Sequence, residues 1–215
     1  MRRLIWVPII HAGADMGSLK DSVRELYMQE IGPDEWEKHT TVIDEMWRDI
    51  GEEIEQLHLD YRRVRLYQDG LPDCGREKEI VTKLAESGSQ NYQLLLSLME
   101  RGAQLTGTES SALLTEEYEL ARRLLDCLDS QKKGGASWLQ SEVSRSLLAR
   151  RDKYIAGRID RTLDPSQSGL IFLGMLHSLH TVLPADIEVR VLARSVRRAM
   201  EKSRGKALGS RRSQK

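Results

Sequence analysis

The sequence predicts an α/β protein, a mostly parallel sheet of about five strands flanked by helices on both faces. Three observations carry this. Apolar or β-branched runs near residues 4–10, 62–67, 103–106, 169–176 and 187–192 read as strands. Long stretches of helical periodicity separate most of them, and strands joined through helices imply parallel crossovers. The chain has 215 residues, enough for one large domain with a full core.

Residues 4–10, Leu-Ile-Trp-Val-Pro-Ile-Ile, are continuously apolar, as in a strand buried on both faces. Pro8 lacks a ladder donor, which predicts a short, bulged or edge-lying strand. The run leads into His11-Ala-Gly-Ala-Asp-Met-Gly-Ser, a small-residue turn from which Ser18 caps a helix over 19–31. Pro33 opens the next helix, with Trp36, Val42, Ile43, Met46, Trp47, Ile50 and Ile54 at helical intervals.

Residues 62–67 alternate and read as the second strand, ended by Gln68-Asp69-Gly70-Leu71-Pro72. Helices over 75–87 and 89–101 follow, then a short third strand at 103–106 closed by Gly107-Thr108-Glu109. A helix over 111–130 gathers Leu113, Leu114, Tyr118, Ala121, Leu124, Leu125 and Leu128 on one side. Lys132-Lys133-Gly134-Gly135 breaks the chain before a helix over 137–163. Residues 169–176, Gly-Leu-Ile-Phe-Leu-Gly-Met-Leu, form the clearest strand and end at His177. A fifth strand over 187–192 and a helix over 193–204 complete a single domain at 1–204, leaving 205–215 as a basic tail.

Apolar residues make up 40% and charged residues 31%, a balance that excludes a disordered chain. No stretch approaches the ~20 apolar residues of a membrane span, and residues 4–10 lack a following cleavage pattern. Two cysteines, Cys74 and Cys127, form neither a metal ribbon nor a disulfide framework. These features predict a cytoplasmic protein with no membrane partner. Lys plus Arg equals Asp plus Glu, so no net field draws the molecule to nucleic acid. The cationic run from Arg194 to Lys215 leaves nucleic-acid binding to the tail alone.

In parallel sheets ligands bind outside the carboxyl ends of the strands. Four predicted strands end in a chemically able group: His11, Asp69, Glu109 and His177. Taken singly, each has a plain structural reading as a turn or cap residue. Two imidazoles and two carboxylates at one rim make a metal or acid–base constellation. Gly174, within a strand of large apolar residues, marks a bulge or a close approach. Arg150 and Arg151 lie one helix before the His177 strand, in reach of the rim; Glu116 and Glu117 read as surface, His39 and His58 as structural. Phosphate-loop, dinucleotide and serine-elbow motifs are absent.

The order of these features resembles the erythromycin esterase, ChaN-like and TraB/Tiki superfamily. Gly174-Met175-Leu176-His177 matches its late Gly-x-x-His motif. Arg151-Asp152-Lys153-Tyr154-Ile155-Ala156 is similar to its Arg-Asn-x-x-(Met/Ile)-Ala helix, with Asp in place of Asn, and Asp69 stands where the family has its acid after the second strand. The first motif, Pro8-Ile9-Ile10-His11, lacks the leading glycine and the following Glu. The resemblance implies a hydrolase-like or metal-dependent site.

The expected function is therefore a metal-assisted hydrolase or related enzyme acting on a small-molecule or peptide substrate. His11 and His177 hold a divalent ion (manganese, zinc or cobalt), Asp69 or Glu109 completes the ligands, and the other carboxylate is the general base. Arg151 steadies developing negative charge. The competing expectation is a non-enzymatic module that binds an anionic ligand in the same cleft.

Overall fold

The computed structural model describes residues 1–9, 32–129 and 137–192, with a few single positions between and beyond them; the side chains of residues 39 and 124–141 fall outside that description. His11, most of the 19–31 helix, the Lys132–Gly135 break, the Cys127 side chain, most of the 193–204 helix and the basic tail thus lie outside the described residues. Among those described, no helix is long and apolar enough to cross a membrane.

The architecture is the α/β fold that the sequence predicts. Five strands, β1 (Arg2–Ile9), β2 (Val64–Gln68), β3 (Gln104–Thr106), β4 (Ser168–Gly174) and β5 (Ile187–Val191), form one sheet in the order β3-β2-β4-β1-β5. Every pairing is parallel. Among the described residues five α-helices accompany it over a full range: α1 (Pro33–Glu55), α2 (Glu77–Glu86), α3 (Gln90–Glu100), α4 (Ser111–Asp129) and α5 (Ser137–Thr162).

Strand alternation divides the core in two. Ile5, Val7 and Ile9 of β1, Val64 and Leu66 of β2, and Leu170 and Phe172 of β4 meet α1, α2 and α3. There Trp47 packs on Phe172 with ring centroids 6.5 Å apart. The opposite parity, Leu4, Tyr67, Ile171 and Leu173, packs under Ile155 and Ile159 of α5 and Leu163 just after it. Both sheet faces are thereby covered, as an all-parallel sheet requires.

Pro8 does not put β1 at an edge; the strand lies between β4 and β5. Trp6 turns its carbonyl to β5, accepting from Leu192 N at 2.7 Å. Pro8, two residues on, faces the same way, past the last β5 pairing at Val191. Its missing N–H therefore breaks no ladder bond among the described residues. Two other differences matter. Residues 61–63 form a 3-10 turn, so β2 starts at Val64 and is buried on both faces rather than alternating. The fourth strand ends at Gly174; Met175 and Leu176 are an exposed turn, Leu176 being 82% exposed. None of the described side chains of α4 is buried, and Tyr118 is exposed.

The topology sets the site. From β2 the chain proceeds to β3 on one side, and from β4 it passes β1 to reach β5 on the other. β2 and β4 are neighbours whose continuations diverge, which opens a crevice at their carboxyl ends.

Candidate functional site

The loops leaving β2 and β3 are zipped together above the sheet. Pro72 bridges Glu109, Asp73 N donates to Glu109 O, and Thr108 N and Glu109 N both donate to Leu71 O. Gly107 makes the approach possible: a Cβ there would lie 2.5 Å from Asp73 Cα and 2.9 Å from Pro72 O. Gly70 takes φ +74°, a conformation that glycine adopts without strain, and its N–H donates to Glu109 Oε1 at 3.0 Å. Glu109 does not cap α4, because Ser110 fills that place through its Oγ and carbonyl oxygen.

Asp69 extends the ladder past β2, with its N–H on Phe172 O at 2.8 Å. Its Oδ2 accepts from Gly174 N at 2.9 Å and its Oδ1 from Arg151 Nη2 at 2.6 Å. Arg151 also donates through Nε to Glu109 Oε2 at 2.8 Å, through Nη2 to Glu109 Oε1, and through Nη1 to Glu117. Asp69, Glu109 and Arg151 are all buried, Glu109 with no exposure at all. Burial pushes the Glu109 carboxyl above the usual range; Arg151 opposes the shift and the charge of Asp69 adds to it. For Arg151, burial works against the charge, but the carboxylates of Glu109, Asp69 and Glu117 outweigh it and hold the guanidinium more firmly protonated than usual.

His177 follows the exposed turn rather than the strand itself, its N–H on Gly174 O at 3.2 Å. The turn brings the imidazole back into the crevice. Nδ1 lies 2.6 Å from Asp152 Oδ1, while Nε2 faces Asp69 Oδ2 at 3.6 Å, too far for a hydrogen bond. Both the ring and Asp152 are buried.

Of the groups predicted at the strand ends, Asp69, Glu109 and His177 thus converge, and Arg151 joins them from α5. Ile9 of β1 stands level with Gly174 of β4, so the strand that leads to His11 is a direct neighbour of β4. Arg150 pairs with Glu116 at the surface instead, and His58 lies exposed in the turn after α1, at φ 48°. Glu117 lies at the surface as expected, its side chain 45% exposed, and from there bonds to Arg151.

Sequence reasoning left Asp152 and Glu117 out of the site. Asp152 carried a readable signal. Arg151, Ile155 and Ile159 recur at four-residue spacing, as do Asp152 and Ala156, so the charged pair continues the buried stripe of α5. No family model, curated protein or solved structure matches this chain.

Proposed function

We propose that this chain is a metal-assisted hydrolase whose working groups are His177 and Asp69, at the crevice between β2 and β4. The observation that supports this best is an imidazole set between two carboxylates. A metal-ligating histidine commonly gives its second N–H to a carboxylate, the arrangement of His177 Nδ1 with Asp152. Its Nε2 and Asp69 Oδ2, 3.6 Å apart, are a nitrogen and an oxygen donor suited to one borderline ion. Among the described residues no group of three His, Cys, Asp or Glu side chains is placed to hold a metal. The pair offers two donors, and the sequence supplies His11 as the candidate third.

Charge favours this reading over an anionic ligand. Among the described residues the carboxylates of Asp69, Glu109, Glu117 and Asp152 gather around the Arg151 guanidinium and the His177 ring. Carboxylates gathered at one largely buried site attract a cation and repel an anion. A divalent ion supplies Lewis acidity and activates water near neutral pH. Arg151 neutralises Asp69 at Oδ1 and leaves Oδ2 turned to His177. Both oxygens of Glu109 are bonded to Arg151, so Glu109 orients the arginine rather than acting as the base.

Metal content by mass spectrometry tests the proposal, on untagged protein and on the His177→Ala, Asp69→Asn and His11→Ala variants. The expected outcome is near-stoichiometric manganese, zinc or cobalt in the wild type and loss of it in the variants. A wild type that stays metal-free after incubation with all three ions overturns the proposal.

A further inference from the structure

Two carboxylates compete for one imidazole. A neutral histidine carries a single ring proton, and whichever nitrogen gives it to a carboxylate leaves the other as the free donor of electrons. Asp69 and Asp152 therefore pull the tautomer in opposite directions. Distance decides between them: Asp152 Oδ1 lies 2.6 Å from Nδ1, whereas Asp69 Oδ2 lies 3.6 Å from Nε2. A carboxylate only accepts, so the short contact places the proton on Nδ1.

Asp152 is itself fixed. It is buried on α5, and its second oxygen accepts from Ser178 N at 2.9 Å. The same side chain thus grips the ring of His177 and the backbone of the next residue, so the turn after Gly174 cannot shift without breaking one of these bonds. Its neighbour Arg151 grips Asp69. Consecutive residues of one buried helical turn thereby set both partners of the pair.

We infer that Asp152 is a positioning residue: by holding the Nδ1 proton it keeps Nε2 of His177 free and turned to Asp69. This rests on the reading that Nε2 is the working nitrogen. Nitrogen-15 NMR of the histidine rings in the full, metal-free chain tests it at a pH where the ring is neutral, with His177→Gln identifying the signal. The wild type is expected to show the Nδ1–H form. Asp152→Asn, whose amide donates to Nδ1, is expected to move the proton to Nε2. Calorimetric titration with zinc or manganese alone is expected to show affinity falling about 10- to 100-fold in that variant. A wild-type ring protonated at Nε2 overturns the inference and needs no variant to fold. An Asp152→Asn protein with unchanged tautomer and unchanged affinity overturns it as well. If the wild type binds no metal, the hydrolase reading fails alone, and the tautomer still decides the part played by Asp152.

Discussion

The two ends of the sheet use the same pairing in opposite surroundings. At the amino end Arg2 holds Asp160 and Asp186, whose side chains are 49% and 55% exposed. At the carboxyl end Arg151 holds Asp69 and Glu109, whose side chains are 5% and 0% exposed. Water shares the charge at the first end and is excluded from the second. A solvent-washed pair ties down a terminus at little gain, whereas a buried one costs desolvation and becomes an obligation once formed. A fold has no need of such a cluster for stability. Its presence at the diverging ends of β2 and β4 is a reason to look for chemistry there.

Breaking each arginine sharpens the contrast most. Arg151→Met leaves Asp69 and Glu109 buried beside an apolar chain and is expected to destabilise by about 3–5 kcal/mol in urea unfolding near neutral pH. Arg2→Met is expected to cost only a small fraction of that, since its partners return to water. Equal losses for the two would remove the distinction.

Glycine substitutions probe the same two ends with a smaller effect. At Gly107 an added Cβ meets backbone, Asp73 Cα and Pro72 O, which cannot yield without parting the loops that carry Glu109. At Gly169, near the amino end of β4, it meets Leu4 Cδ1 at 2.7 Å, the far end of a side chain that can rotate away. Gly107→Ala should therefore cost about 1–3 kcal/mol and Gly169→Ala less, by denaturant midpoint. A larger loss at Gly169 would show the carboxyl-end loops to be the more pliable.

Sequence legibility followed the same division. The sheet was readable because β-branched runs bounded by polar residues mark strands, and β3 and β5 fall within one residue of expectation. The end of β4 was not, because Met175 and Leu176 continue an apolar run that the chain uses as an exposed turn. Periodicity placed α4 within one residue of its end, although Leu113 and Leu114 are only partly buried. Within the site, Asp69, Glu109 and His177 were legible by position relative to the strands. Glu117 was not, since a helical glutamate reads as solvated and only the fold shows Arg151 reaching it. Asp152 stands between: the Arg151–Ala156 motif contains it, but its partner His177 lies 25 positions away.

Acid titration tests whether the carboxyl-end cluster is as dry as its geometry indicates. Burial raises the Glu109 carboxyl above its ordinary value in the folded state. Between the ordinary glutamate pKa of about 4.3 and that raised value, the folded chain holds a proton that the unfolded chain has released. The stability linked to Glu109 is therefore fully present below the ordinary value and is lost as pH rises through the raised one. Glu109→Gln has no proton to lose, so the gap between wild type and variant in urea unfolding should narrow as pH increases across that window. Arg2 and its exposed partners provide the reference, because substitution there leaves the slope in this window nearly unchanged. A wild-type advantage that instead grew with pH would mean that Arg151 holds Glu109 ionised despite burial. The cluster would then be an ordinary ion pair, and the contrast between the two ends would shrink to one of exposure alone.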